Sequence, residues 1–103
     1  MKEVFDNYLK NGLSKYDLEY LPTYQYVMLL YNDNIKAYFA NVDYTFFIEY
    51  PDSNKEYNTP LEVLEEEISI NNSSSGIIYE NINGVFKSIA LIDKKTKNSN
   101  KMM

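Results

Sequence analysis

The 103-residue sequence lacks the residues on which most enzyme active sites depend. It contains no cysteine, histidine or tryptophan, and because all ten basic residues are lysines it contains no arginine. Without histidine and cysteine there is no imidazole base, thiolate nucleophile or disulfide, and the two commonest zinc ligands are missing. Without arginine there is no bidentate fork for a carboxylate or phosphate. We therefore expect a protein that is not an enzyme and that has no cofactor and no metal site.

Glycine is also too scarce for nucleotide-binding loops. The three glycines, Gly12, Gly76 and Gly84, are too widely separated for a dinucleotide fingerprint or a phosphate loop. Residues 52–56 resemble the start of a calcium loop, but Tyr57 stands where that loop requires glycine and Val63 stands where it requires a bidentate glutamate. We interpret this segment as a turn.

Long hydrophobic runs are absent as well. The longest apolar run, Tyr26–Tyr31, is far shorter than the roughly 20 residues that span a bilayer. The first residues lack the apolar core of a signal peptide. Together with a composition typical of an AT-rich genome, this predicts a cytoplasmic protein of a low-GC bacterium or of a phage-infected host.

Charge is distributed unevenly along the chain. Residues 1–93 contain all 15 acidic residues and six lysines, which gives this region a net charge of −9. Residues 94–103 contain four lysines and no acidic residue, which brings the whole chain to −5. We expect residues 1–93 to form a single globular domain and residues 94–103 to form a disordered basic tail.

Two short helices are predicted near the N-terminus. Apolar side chains at positions 4, 5, 8 and 9 form a one-sided helical stripe that Gly12 can end. Ser14 and Asp17 resemble a capping box, and Pro22 disfavours helical backbone at Leu21, so a second short helix is expected to begin near Ser14 and to end before Leu21.

A three-stranded meander is predicted next, over residues 24–31, 35–40 and 44–50. These segments are rich in aromatic and branched residues and are separated by two three-residue turns. In this register one face of the meander carries Val27, Leu29, Tyr31, Ile35, Ala37, Phe39 and Phe47. The other face carries Tyr26, Met28, Leu30, Tyr38, Tyr44, Phe46, Ile48 and Tyr50.

A third helix has the clearest start signal in the chain. Thr59 is the predicted N-cap, Pro60 occupies the first helical position, and Glu62 lies at the third. The predicted buried stripe consists of Leu61, Leu64 and Ile68.

A C-terminal hairpin is predicted over residues 77–92. Asn83-Gly84 is a strong two-residue turn signal between strands 77–82 and 85–92. The turn sets Glu80 opposite Lys87, Ile82 opposite Val85, and Ile78 opposite Ile89. The predicted fold is a single small α+β domain of about five antiparallel strands, a meander plus a hairpin, with two short N-terminal helices and an acidic helix between the strand groups.

Two surfaces are candidate binding sites. In the acidic helix, Glu62, Glu65, Glu66 and Glu67 place about one charge per 2 Å of helix axis, close to the roughly 1.7 Å per charge of duplex DNA. The second candidate is the tyrosine-rich sheet face, with Tyr26, Tyr38, Tyr44 and Tyr50, because tyrosine is enriched in interface hot spots. The simpler alternatives are a solvated acidic face and tyrosines that belong to the core.

Small size, acidity and missing catalytic groups are the profile of phage anti-defence inhibitors, anti-CRISPR proteins among them. We therefore expect a non-enzymatic, acidic, protein-binding inhibitor that masks a basic surface of a nucleic-acid-handling partner. The alternatives are a toxin immunity protein and a structural or regulatory homo-oligomer, such as a homodimer joined through the tyrosine-rich face. Direct binding to nucleic acid or to a membrane is not expected, because a body of charge −9 repels phosphates.

Overall fold

The computed structural model describes residues 2–13, 24–41 and 59–94, which form a small α+β domain. The elements in chain order are α1 (Lys2–Asn7) with a π-helical continuation (Tyr8–Gly12), β1 (Tyr26–Tyr31), β2 (Ile35–Ala40), α2 (Pro60–Ile70), β3 (Ser75–Ile82) and β4 (Val85–Asp93). Three predicted segments lie outside the described residues: the short helix that begins near Ser14, the strand over 44–50, and residues 95–103 of the tail.

The four described strands form one antiparallel sheet in the order β2-β1-β3-β4. The three-residue turn predicted between β1 and β2, over residues 32–34, is confirmed, because Tyr31 pairs with Ile35 and Tyr26 pairs with Ala40. On its other edge β1 pairs with β3, where Tyr26 lies opposite Glu80. The central position of β1 explains why residues 26–30 are all buried.

Among the described residues, one helix covers each face of the sheet. On one face α2 buries Tyr26, Met28, Leu30 and Ile78 beneath Val63, Leu64 and Ile68. On the other face Phe5 of α1 packs with Val27, Leu29, Ile77 and Tyr79. The predicted alternation of β1 side chains between the two faces is confirmed, and both faces are covered, as their apolar character requires.

Gly76 allows α2 to lie close to the sheet. A Cβ atom at this position would lie 2.7 Å from Leu64 Cδ1, 2.9 Å from Leu30 Cδ2 and 3.0 Å from Ile68 Cδ1. These separations are below ordinary van der Waals contact. A glycine in β3 therefore sets the distance between the helix and the sheet.

The start of α2 is confirmed, but its buried stripe differs from the prediction. Thr59 has extended backbone, and its Oγ1 accepts a hydrogen bond of 3.3 Å from the Glu62 amide. The buried positions are 63, 64, 67 and 68, whereas Leu61 is 44% exposed. The prediction for Leu61 was wrong because the buried arc is centred between positions 64 and 67, which leaves Leu61 at its margin in the first turn. None of the described helices is long and apolar enough to cross a membrane.

The C-terminal hairpin is confirmed, with one change of register. Asn83 and Gly84 have φ angles of 54° and 87°, as a tight two-residue turn requires, and Ile82 pairs with Val85. A β-bulge then shifts the pairing, so Ile78 lies opposite Ala90 and not opposite Ile89. A bulge of this kind is not encoded by alternation of side chains, and it is a common feature of edge strands.

Candidate functional site

The outward side of α2 carries an acidic surface formed by Glu62, Glu65 and Glu66. Glu62 and Glu65 are exposed and Glu66 is partly exposed. Positions i, i+3 and i+4 of a helix are neighbours, with Cβ atoms about 5–6 Å apart, so the three carboxylates share one face. Residues 59–70 contain no lysine. Three of the four glutamates predicted from the sequence are therefore together at the protein surface.

Glu67 lies on the opposite side of α2, against the sheet, and is only 3% exposed. Its Oε2 accepts a 3.2 Å hydrogen bond from Asn71 Nδ2, which also donates to the Glu67 main-chain oxygen at 2.9 Å. Asn71 Oδ1 accepts in turn from the Tyr38 hydroxyl at 3.4 Å. Glu67 and Tyr38, both predicted as partner-binding residues, thus belong to a network that joins the end of α2 to β2.

The described part of the tyrosine-rich face lies in the interior. Tyr26 is 6% exposed, and its hydroxyl donates to Glu80 Oε2 at 3.2 Å, while Tyr38 packs at the margin of the cluster beneath α2. Tyr44 and Tyr50 lie outside the described residues. Glu80 does lie opposite Lys87 in the hairpin, as predicted, but its carboxylate accepts from Tyr26. Glu67, Tyr26 and Tyr38 therefore contribute to packing and to hydrogen bonds within the domain.

A second polar cluster, which was not predicted from the sequence, lies on the α1 side of the sheet. Asp6 Oδ1 accepts a 2.5 Å hydrogen bond from the Tyr79 hydroxyl, and Asp6 Oδ2 lies 2.9 Å from Lys2 Nζ. The i,i+4 spacing of Lys2 and Asp6 was visible in the sequence. The contact with Tyr79 was not, because 73 residues separate the two side chains.

The Asp6–Tyr79 contact shifts the pKa of both groups. Partial burial acts to raise the pKa of Asp6, but the hydrogen bonds from Tyr79 and Lys2 and the charges of Lys2 and Lys10 hold it below its ordinary value. Burial, the hydrogen bond to Asp6 and the negative charge of Asp6 raise the pKa of Tyr79. Asp6 is therefore an anion and Tyr79 a neutral donor throughout the physiological pH range.

Exposed apolar side chains at the tip of the hairpin lie on the same sheet face as α2. Ile82 and Val85 pair with each other and are both exposed, so α2 does not cover them. Within residues 2–13, 24–41 and 59–94, no three acidic side chains are grouped closely enough to hold a metal ion. The α2 side of the molecule thus presents both carboxylates and apolar side chains at its surface.

No protein-family model matches the sequence, and neither a curated protein nor a solved structure shows significant similarity to the chain.

Proposed function

We propose that the protein is a non-enzymatic inhibitor that binds another protein through the acidic surface of α2. The observation that carries this proposal is the grouping of Glu62, Glu65 and Glu66 on the side of α2 that faces away from the sheet. The partner is a nucleic-acid-handling protein whose basic surface these carboxylates occupy. In this role the protein acts as a phage anti-defence inhibitor of the anti-CRISPR kind, in the cytoplasm of a low-GC bacterium or a phage-infected host.

The acidic surface favours a binding role over a stabilising one. Glu62 lies at i−3 and i−4 from Glu65 and Glu66, and each like-charge pair of this kind costs a helix about 0.2–0.5 kcal/mol. The last turn of α2 also contains no basic residue that would complement the helix dipole. A basic partner adds favourable charge pairs with the carboxylates, which oppose this repulsion in the complex.

The spacing of the carboxylates along α2 is close to the spacing of phosphate charges in duplex DNA, which the partner's basic surface binds. Positions 62–66 rise by roughly 6 Å along the helix, so three carboxylates supply about one negative charge per 2 Å, near the roughly 1.7 Å of duplex DNA. A surface that pairs with phosphates can therefore pair with these carboxylates. Ile82 and Val85 add apolar area that DNA does not offer, which allows the protein to compete for such a surface.

A toxin immunity protein uses the same geometry, because a nuclease toxin also carries a basic active-site cleft. A homo-oligomer joined through the tyrosine-rich face has less support, since Tyr26 and Tyr38 pack beneath α2. The two inhibitor roles differ in the identity of the partner and not in the surface that binds it.

Capture from a host lysate tests the proposal, with paired charge variants as the control. The double variant Glu62→Gln/Glu65→Gln removes two charges from the acidic surface, and Glu3→Gln/Asp33→Asn removes two exposed charges elsewhere. We expect the wild type and the second variant to retain the same nucleic-acid-binding protein, identified by mass spectrometry and released by added duplex DNA. The first variant should retain much less of it. Equal capture by both variants, or a captured protein that duplex DNA does not release, would contradict the proposal.

A further inference from the structure

The turn of the β3–β4 hairpin joins Asn83 directly to Gly84, and both residues are exposed. Asparagine is among the residues that are thermally labile in proteins. Because glycine has no Cβ atom, another group can approach its main-chain nitrogen closely. A Cβ atom added at Gly84 would meet nothing within 4 Å, so the space around this residue is open.

The reaction available at this linkage is loss of the Asn83 side-chain amide. The Gly84 nitrogen attacks Asn83 Cγ, the new C–N bond closes a five-membered ring, and the bond from Cγ to Nδ2 breaks. The proton of the Gly84 nitrogen and the Nδ2 group leave together as ammonia. Water then opens the ring, and it gives aspartate by attack at Cγ or isoaspartate by attack at the main-chain carbonyl. Water is the only co-reactant that the two steps need.

Asn81 holds the nitrogen that makes this attack. Asn81 Oδ1 accepts a 2.8 Å hydrogen bond from the Gly84 N–H. Asn81 Nδ2 donates to the Tyr24 main-chain oxygen at 3.2 Å, and the Asn81 N–H donates to the Gln25 main-chain oxygen at 2.7 Å. The acceptor of the Gly84 N–H is therefore fixed to the segment that leads into β1.

The backbone of the turn also keeps the reacting atoms apart. Asn83 and Gly84 have φ angles of 54° and 87°, which is the left-handed pair of a two-residue hairpin turn. In the five-membered ring the Gly84 nitrogen and Asn83 Cβ lie on the same side of the bond between Asn83 Cα and its carbonyl carbon. Ring closure thus requires rotation about this bond out of the left-handed conformation. The same rotation breaks the hydrogen bond from Gly84 to Asn81.

A second Asn-Gly pair provides an internal comparison. Asn11 and Gly12 are the only other such pair in the sequence, and they end the π-helical continuation of α1. Asn11 Nδ2 donates to Asn7 Oδ1 at 3.0 Å, and a Cβ atom at Gly12 would lie 2.5 Å from Tyr8 Cδ2. None of these contacts involves Asn81. The rate of ammonia loss at Asn11 therefore serves as a reference within the same molecule.

We propose that Asn83 is a modification site, at which the protein loses ammonia and gains aspartate or isoaspartate, and that Asn81 slows this reaction by holding the Gly84 N–H. Either product adds a negative charge to a chain of net charge −5. Isoaspartate also adds a methylene group to the main chain, which a two-residue turn does not accommodate. The modification therefore alters the tip of the hairpin, beside the exposed Ile82 and Val85. The site does not depend on the function proposed for α2.

Incubation of the full-length protein for several days in mildly alkaline buffer tests the site. Peptide mapping by mass spectrometry measures ammonia loss at Asn83 and Asn11 in one sample, and chromatography against synthetic peptides separates aspartate from isoaspartate. We expect isoaspartate at position 83, and a rate that rises at least about tenfold when guanidinium chloride unfolds the turn. No ammonia loss at Asn83 in the folded protein, or aspartate as the only product, would overturn the proposal. Equal rates in the folded and unfolded protein would overturn protection by the turn.

A matched pair of variants tests the role of Asn81. Asn81→Ala removes the acceptor of the Gly84 N–H, whereas Asn81→Asp keeps a side-chain oxygen there, and both variants lose the donor to Tyr24. We expect Asn81→Ala to raise the rate at Asn83 at least about threefold, the effect of losing one hydrogen bond, and to leave the rate at Asn11 unchanged. The rate at Asn83 in Asn81→Asp should stay within about twofold of the wild type. Equal acceleration by both variants would overturn the role of the Asn81 oxygen.

Amide hydrogen exchange separates the loss of this one hydrogen bond from a general loosening of the hairpin. In Asn81→Ala we expect faster exchange at the Gly84 amide and unchanged exchange at Ile78, which lies within the sheet. Faster exchange at both amides would show that the variant opens the whole hairpin, and it would overturn the role assigned to Asn81.

Discussion

Both faces of the sheet are apolar and both are covered by a helix, but the side chains that cover them differ. Beneath α2 the contacts are mainly aliphatic, with Leu64 and Ile68 over Met28 and Ile78, and the polar residues of the helix point mostly outward. Beneath α1 the cluster combines aliphatic and aromatic side chains, among them Phe5 and Tyr79, and ends in the polar Asp6–Tyr79 contact beside Lys2. The alternation of side chains in β1 makes both sheet faces apolar. The polar residues of α1 and α2 then determine which charged groups each side of the molecule presents.

Removing a core side chain from α2 should have the largest effect on stability. Leu64 is fully buried, and we expect Leu64→Ala to lower the free energy of unfolding by about 2–5 kcal/mol. Leu61→Ala changes the same kind of residue at a position that is 44% exposed, so it should cost less than about 1 kcal/mol. Urea denaturation measures both variants. Equal losses would show that α2 packs through the stripe predicted from the sequence.

The second largest loss of stability should come from the buried Glu67, and its exposed neighbour Glu65 should matter much less. Glu67→Ala removes one of the two acceptors of Asn71 Nδ2 and empties a buried position, so it should lower the free energy of unfolding by about 1–3 kcal/mol. Glu65→Ala, on the exposed side of α2, should change stability by no more than about 0.5 kcal/mol. The same denaturation experiment compares them. An unchanged free energy of unfolding for Glu67→Ala would mean that this carboxylate contributes nothing to the packing of α2 on the sheet.

The polar contact beneath α1 should have a smaller effect that depends on pH. Tyr79→Phe removes the donor to Asp6 and should cost about 1 kcal/mol near neutral pH, a modest value because Asp6 is partly exposed. The folded-state pKa of Asp6 is lowered, so its contribution is present above the unfolded value of about 3.9 and is lost as pH falls through the folded value. The difference between wild type and Tyr79→Phe should therefore narrow below about pH 4.

The variant Asp6→Asn serves as the control for that pH dependence. It keeps an acceptor for Tyr79 but cannot ionise, so the acid-dependent part of the stability difference should disappear when Tyr79→Phe is made in this background. In the parent background, a stability difference between the wild type and Tyr79→Phe that stays constant from pH 7 to pH 2 would contradict ionisation of Asp6 as its source.

The sequence predicts the fold better than it predicts the surface. The turns at 32–34 and 83–84, the Thr59 cap and the two faces of β1 follow from local preferences and alternation, and the structure confirms them. The pairing of β1 with β3, the bulge opposite Ile78 and the Asp6–Tyr79 contact join distant segments, and no local pattern encodes them. The burial of Glu67 could not be predicted from the sequence either, because it depends on how α2 packs against the sheet.

Association kinetics test the proposed role of α2 most directly. With the captured partner immobilised, the association rate of the wild type should fall as salt rises from about 50 to 500 mM and the screening length shrinks from roughly 14 to 4 Å. Glu62→Gln/Glu65→Gln should associate more slowly than the wild type at low salt, and its rate should depend less on salt. Glu3→Gln/Asp33→Asn has the same net charge as that variant, but its association rate should stay close to that of the wild type. Identical rates and salt dependences for the two double variants would contradict recognition through the acidic surface of α2.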